Sequence, residues 1–185
     1  MSAIALDPPR QRDDERALVR AAQRGSADAV EALVRRNWER AHRTAFLIVR
    51  DAGAAEDVCQ ESMLAAVRSL NDFDRRRAFG PWLHRIVVNR SLDLLRERGR
   101  RPEVAAAEED EPAPQAPDHA IEGDLAHALS ALDAETRAIV VLRHLLDYSS
   151  KEIGAMLDLP AATVRTRLRR ALERLRAALQ EEAPR

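Results

Sequence analysis

A single cysteine, Cys59, stands in 185 residues, which excludes an intrachain disulfide and any multi-cysteine zinc site. Taken alone, Cys59 reads as a small apolar residue on a helix face. Aromatic residues make up only 3 % of the chain, and lysine is nearly absent, with Lys151 alone beside 29 arginines. No run of about 18 apolar residues occurs, so no segment is expected to insert into a membrane. The N-terminal stretch carries Asp7, Arg10, Arg12, Asp13 and Asp14 and has no signal-peptide apolar core. The expectation is a soluble, cytoplasmic protein. Strand-like alternation and internal repeats are missing as well. The net charge of −1 says nothing about partners, whereas the distribution of charge says a great deal.

What is present favours helices. Alanine, leucine and arginine dominate, and the length suits one ordinary domain or two small ones. Residues 1–14 read as a loose tail, and patterned helical sequence follows over 15–101. Residues 102–123 differ sharply, with four prolines, seven acidic side chains and no Lys or Arg. Such a stretch cannot bury a core and is expected to be an extended acidic linker. Helical patterning resumes over 124–182. The predicted fold is all-α: two small helical domains joined by a flexible acidic linker, the C-terminal one a helix-turn-helix.

The C-terminal segment carries the strongest local signal. Ile153, Met156 and Leu157 give a short helix one apolar face, and Asp158-Leu159-Pro160 ends it, because Pro160 disfavours helical geometry at Leu159. The next helix repeats Val164, Leu168, Leu172, Leu175 and Leu179 at spacings of four, four, three and four, a buried stripe. Between 161 and 179 six arginines face one glutamate. An arginine-rich helix can be no more than a solvated face. Here a tight turn, an apolar stripe and positive charge arrive together in order, which points to a helix for the major groove. Arg165, Thr166, Arg169 and Arg170 are its candidate DNA contacts.

In the N-terminal half, Ser26 caps a helix running through Arg50, with Val30, Leu33, Val34, Ala41, Ala45 and Ile48 inward. After a turn at Asp51-Ala52-Gly53, a second helix buries Cys59, Met63, Ala66, Val67 and Leu70. Its other face shows Asp57, Gln60, Glu61, Leu64 and Arg68. Plain solvated surface would explain most of that face, but a polar rim around an apolar anchor also fits partner docking. Asp57 and Glu61 sit one turn apart without a ligating histidine, so no metal or cofactor is expected there.

Phe73-Asp74-Arg75-Arg76-Arg77-Ala78-Phe79 sets arginines between aromatics, and Pro81 suits the first turn of the helix that follows. That helix buries Leu83, Ile86, Val87 and Leu94. Trp82, Arg85, Asn89, Asp93 and Arg96 fall on another stripe, and His84 to Arg101 carries six arginines against two acids. An amide, aromatics and arginines together suit single-stranded or melted DNA. Phe73, Arg75, Arg76, Phe79, Arg85, Asn89 and Arg96 are the candidates. Trp82 and Phe79 fit equally well as core residues, with burial favoured for Trp82.

Taken together, the two halves resemble the extracytoplasmic-function (ECF) sigma factors of the bacterial sigma-70 family. The matching residues are Ala55-Glu56-Asp57-Val58-Cys59-Gln60-Glu61, then Phe79, Trp82, Leu83, Ile86, Val88, Asn89, Asp93 and Arg96. Leu132, Arg137, Leu142, Ser149, Glu152, Ile153, Leu157, Pro160, Thr163, Val164, Arg167, Leu168, Ala171 and Leu175 continue the match. The likeness runs from Ala17 to Leu179. Where the family often has Leu-Pro, this chain has Leu132-Asp133. Where it often has Gly-Thr-Val, the chain has Ala162-Thr163-Val164, a methyl group at the entry of the DNA-reading helix.

The resemblance implies a transcription initiation factor with no catalytic residues of its own. Asp57, Gln60, Glu61 and Leu64 would dock on the clamp helices of core RNA polymerase, and the C-terminal domain on its flap. Asn89 and the Phe73–Phe79 loop, with Arg85 and Arg96, would capture a flipped base at the minus-ten element. Thr163, Arg165, Thr166, Arg169 and Arg170 would read the minus-thirty-five element. The acidic linker would thread toward the RNA-exit region, and an anti-sigma factor is the expected regulator. Two other readings compete: a stand-alone helix-turn-helix regulator binding as a dimer, and a helical nucleic-acid enzyme using Asp57, Glu61 and Asp93 as metal ligands.

Overall fold

A computed structural model describes residues 9–100 and 129–181, with side chains described over 13–100 and 129–177. The expected acidic linker at 102–123, and the first turn of the expected C-terminal domain, lie outside the described residues. Among those described there are helices and no strand.

Helices α1 (Pro9–Gln23), α2 (Ala27–Val49), α3 (Ala52–Arg68) and α4 (Phe79–Arg100) form the first bundle. A 3₁₀ turn, Leu70–Asp72, precedes the loop into α4. Helix α1 begins at Pro9, inside the stretch read as a tail. Side-chain caps set the helix starts. The Ser26 hydroxyl accepts from Ala29 N at 3.3 Å, and the Asp51 carboxylate from Ala54 N at 2.6 Å. Each satisfies one of the orphan amides of a first turn. At the other end of α2, Arg50 turns left-handed and its N–H donates to Phe46 O at 2.7 Å. Small residues let the helices approach: Ala41 and Ala45 of α2 and Ala55 and Cys59 of α3 are fully buried in one cluster with Leu83 and Val87 of α4. Burial, and then the nearby Glu56 charge, push the Cys59 thiol up to about 11.

Val67 departs from its expected place inside: it is 39 % exposed. It lies at the rim of a shallow apolar groove between α2 and α3, with Val30, Val34 and Met63. Helical period alone does not reveal where a groove is left between two packed helices.

A second group follows: a 3₁₀ turn at Leu129–Ala131, α5 (Ala134–His144), α6 (Ser150–Leu157) and α7 (Ala161–Glu181). Asp133 caps α5 by accepting from Thr136 N at 2.9 Å. Ser149 and Glu152 form a reciprocal capping box at the start of α6. The turn between α6 and α7 reverses at Asp158, which is left-handed with φ 55°. Pro160 closes that turn, but the reversal itself lies two residues earlier. Val164, Leu168 and Ala171 of α7 are buried against Ile153 and Met156 of α6, as the stripe predicts. Leu172 and Leu175 are half-buried.

The first bundle keeps a buried cluster of its own, while the core of the second group extends across the seam into α2 and α4. Leu47 and Ile48 of α2 and Val88 and Leu92 of α4 belong to the same buried cluster as Leu142, Ile153 and Val164. Arg137 of α5, only 6 % exposed, donates through Nε to Ile48 O at 2.7 Å and through Nη1 to Leu132 O at 3.2 Å. Ile48 O is one of the last four carbonyls of α2, which lack intrahelical partners and draw positive charge. A buried guanidinium thus clasps the end of one helix to the start of another. His84 of α4 and Tyr148, at the entry to α6, meet across the same seam, with Nδ1 to Oη at 2.7 Å. Burial, and next the charge of Arg40, hold the imidazole down at about 3, so it is neutral there.

Candidate nucleic-acid interface

The loop before α4 is built from its anchors outward. Phe73 and Phe79 are buried, at 7 % and 6 % exposure. Their rings meet edge to face with centroids 5.8 Å apart, and each packs on half-buried Trp82, at 4.7 and 5.4 Å. The two phenylalanine rings are therefore not open for stacking with a base here. A cluster of three aromatics gains more from excluding water than from presenting faces to it. Between these anchors, Arg75, Arg76, Arg77 and Ala78 are exposed. Asp74 orders them: its carboxylate accepts from Arg76 N and from Arg76 Nε, both at 3.0 Å. Those bonds, with the Arg76 and Arg77 charges, hold the Asp74 carboxyl below the usual carboxylate range.

Along α4, Arg85, Asn89, Asp93 and Arg96 are exposed on successive turns. Arg96 pairs with Asp93 at 2.8 Å. Arg85 lies 4.0 Å from Asp158, in the turn of the second group. Both pairs are solvated and worth little to stability. On α3, Asp57, Gln60, Glu61 and Leu64 are all exposed, and Leu64, at 54 %, is the most open large apolar side chain among the described residues. Arg90, a residue the sequence reading passed over, joins this face to α4 through Glu61 at 2.5 Å. Asp57, Glu61 and Asp93 do not converge: Glu61 and Asp93 each spend a carboxylate on a different arginine.

On α7, Arg165, Thr166, Arg169 and Arg170 are exposed and Thr163 is half-buried, opposite the packed face of Val164 and Leu168. The Thr166 hydroxyl donates back to Ala162 O at 3.1 Å. Arg167, between the two faces, pairs with Glu135 and fixes α7 on α5. Gln23 is a further residue that sequence reasoning missed. Its side-chain amide reaches the loop anchor from α1. A lone polar residue at a helix end carries no local signal of such a contact.

Comparison with known proteins identifies the family. Residues 33–101 match the Sigma-70 region 2 family and residues 122–175 match Sigma-70, region 4. The chain is 36 % identical over 154 residues to the ECF RNA polymerase sigma factor SigE of Mycolicibacterium smegmatis, covering 79 % of this chain and 60 % of that protein. To the RNA polymerase sigma-H factor of Pseudomonas aeruginosa it is 32 % identical over 186 residues, covering 91 % and 95 %. Among solved structures, CnrH in complex with the cytosolic domain of CnrY aligns with a TM-score of 0.69 at 30 % identity, covering 91 % of this chain and 99 % of CnrH. With both regions present in order on one helical scaffold, the chain belongs to the sigma-70 family as an extracytoplasmic-function sigma factor, a transcription initiation factor that directs RNA polymerase to specific promoters.

Proposed function

We propose a division of labour among three surfaces. The α3 face of Asp57, Gln60, Glu61 and Leu64 docks on core RNA polymerase. Asn89, with Arg85, Arg96 and the loop held by Phe73 and Phe79, takes a base of the melted minus-ten strand. Thr163, Arg165, Thr166, Arg169 and Arg170 read the minus-thirty-five element in the major groove. The observation that carries the reading is the exposed Asn89, flanked by exposed Arg85 and Arg96 on α4, the helix that the ordered and exposed Arg75–Arg77 loop leads into. An amide can hydrogen-bond a base edge while arginines neutralise the flanking phosphates. Both phenylalanines then serve as anchors of the loop.

The packed arrangement cannot read both elements at once. Their centres are about 25 base pairs apart, or roughly 85 Å at ~3.4 Å per pair. The core of the second group includes residues of α2 and α4, so the two groups must part when both elements are bound. The 22 residues of 102–123 span at most about 75 Å when fully extended, and docking on polymerase would set the separation of the two groups. The same reading includes a restraining protein partner. CnrH, solved with the cytosolic domain of CnrY, supports it.

A run-off transcription assay tests the whole proposal, using purified core polymerase and promoter fragments from the source genome. Selective transcripts that need this protein are expected. Duplex binding as a dimer without polymerase would support the stand-alone regulator instead. Asn89→Ala is expected to slow open-complex formation about tenfold or more, with core affinity unchanged; equal loss of both would make Asn89 structural. Arg169→Ala is expected to weaken upstream-element binding and to lower the salt slope by about one if it meets a phosphate. Binding that keeps its affinity and slope would remove Arg169 from the site.

A further inference from the structure

We infer that Gln23, the last residue of α1, is a positioning residue for minus-ten capture. The inference rests on the reading of Asn89 and the 73–79 loop given above. Gln23 Nε2 donates to Leu70 O at 2.8 Å and to Phe73 O at 3.1 Å, reaching 47 and 50 residues along the chain. One amide nitrogen has two hydrogens, and both are used. The Leu70 and Phe73 carbonyls bracket the 3₁₀ turn Leu70–Asp72, which Phe73 N closes onto Leu70 O at 3.1 Å.

The geometry then runs outward in order. The Phe73 ring is fixed by Phe79 and Trp82, and its carbonyl is fixed by Gln23. With both ends held, the peptide plane between residues 73 and 74 has one orientation. That orientation aims Asp74, whose carboxylate arranges Arg76, and whose own carbonyl accepts from Arg77 N at 2.9 Å. Gln23 itself has a firm base, because Val19 and Ala22 bury the neighbouring face of α1 in the first bundle's core.

Fold stability does not require these bonds. Leu70 O keeps Phe73 N as a partner when Gln23 is lost, and the two Gln23 bonds are only part-buried, so water can take over at Phe73 O. What disappears is the preset direction of the loop, and with it the selectivity of capture.

The test uses the full-length protein and its holoenzyme. The probe is the nontemplate minus-ten segment of a promoter found by run-off transcription, made as a single-stranded oligonucleotide, beside a scrambled version. Gln23→Leu keeps the size and removes both donors. The matched oligonucleotide is expected to lose about tenfold in affinity, the scrambled one little, while core affinity and Tm stay near those of the unmodified protein. Gln23→Lys, which keeps donors at similar reach, is expected to retain most of the matched-to-scrambled ratio. A Gln23→Leu ratio within twofold of the starting value overturns the inference, as does parallel loss of both oligonucleotides and of core binding. A lysine variant that behaves like the leucine one removes donation as the cause. Asn89→Ala separates the two levels. If it lowers the ratio and Gln23→Leu does not, only the positioning role fails; if neither does, base capture at this site fails with it.

Discussion

Gly154→Ala is expected to abolish minus-thirty-five-dependent transcription while leaving association with core polymerase through the first bundle near normal. A Cβ at residue 154 would lie 2.4 Å from Leu159 O and 3.5 Å from Ala161 N, both backbone atoms of the turn between α6 and α7. The Leu159 N–H already donates to Gly154 O at 2.9 Å, so the turn is drawn tightly over this residue. Alanine in a helix interior normally gains about 1 kcal/mol over glycine. Overpacking a tight contact costs about 1–3 kcal/mol or more, and here the opposing atoms belong to a main chain that cannot rotate away. The clash wins. Relief comes only by shifting the turn, which moves the start of α7 where Arg165 and Thr166 stand. Transcription from promoters with and without a minus-thirty-five element measures the effect. A variant that still discriminates between them as well as the starting protein would show that α6 yields without disturbing α7.

Packing of the two helix groups on each other is expected to weaken about tenfold between pH 7.5 and pH 5.5. His84 is buried and neutral in the packed form, held down at about 3 first by desolvation and then by Arg40 of α2, with the neutral Tyr148 hydroxyl on Nδ1. Once the groups part, the ring can regain an ordinary value near 6.5. The packed form therefore binds fewer protons than the open one. Its stability is full above about pH 6.5 and falls by roughly tenfold per pH unit below that, down to about pH 3. Labels on Leu64→Cys and Arg170→Cys, in a Cys59→Ala background, would report the separation of α3 and α7 in the free protein. His84→Gln, which cannot titrate, is expected to flatten the profile. A distance distribution that stays constant from pH 8 to pH 5 in the protein with His84 would detach this histidine from the opening.

Much of the scaffold was legible because its causes are local. The Ser26 cap acts across three residues, and the stripe of Val164 and Leu168 repeats within one helix. The exposed arginines of α7 followed from the same stripe, since a helix that buries one face must show the other. Phe73 and Phe79 were harder. Aromatics among arginines suit stacking on bases, Phe79 fitted the core equally well, and only the meeting of three rings shows both phenylalanines turned inward. Val67 has the right period for burial but lines an open groove between α2 and α3.

By itself the sequence determined the helical class, the Ser26 cap, the arginine-bearing last helix and the likeness to a family, all of which depend on spacings within a turn or two. Tertiary structure alone decided that Gln23 holds the loop, that Arg137 caps the end of α2, and that His84 lies neutral beneath Tyr148. Each of these bonds joins residues 47 to 89 positions apart. No local period can encode such a meeting, because it exists only once the apolar faces of α2, α4 and α5 have been driven together and their remaining polar atoms must find partners.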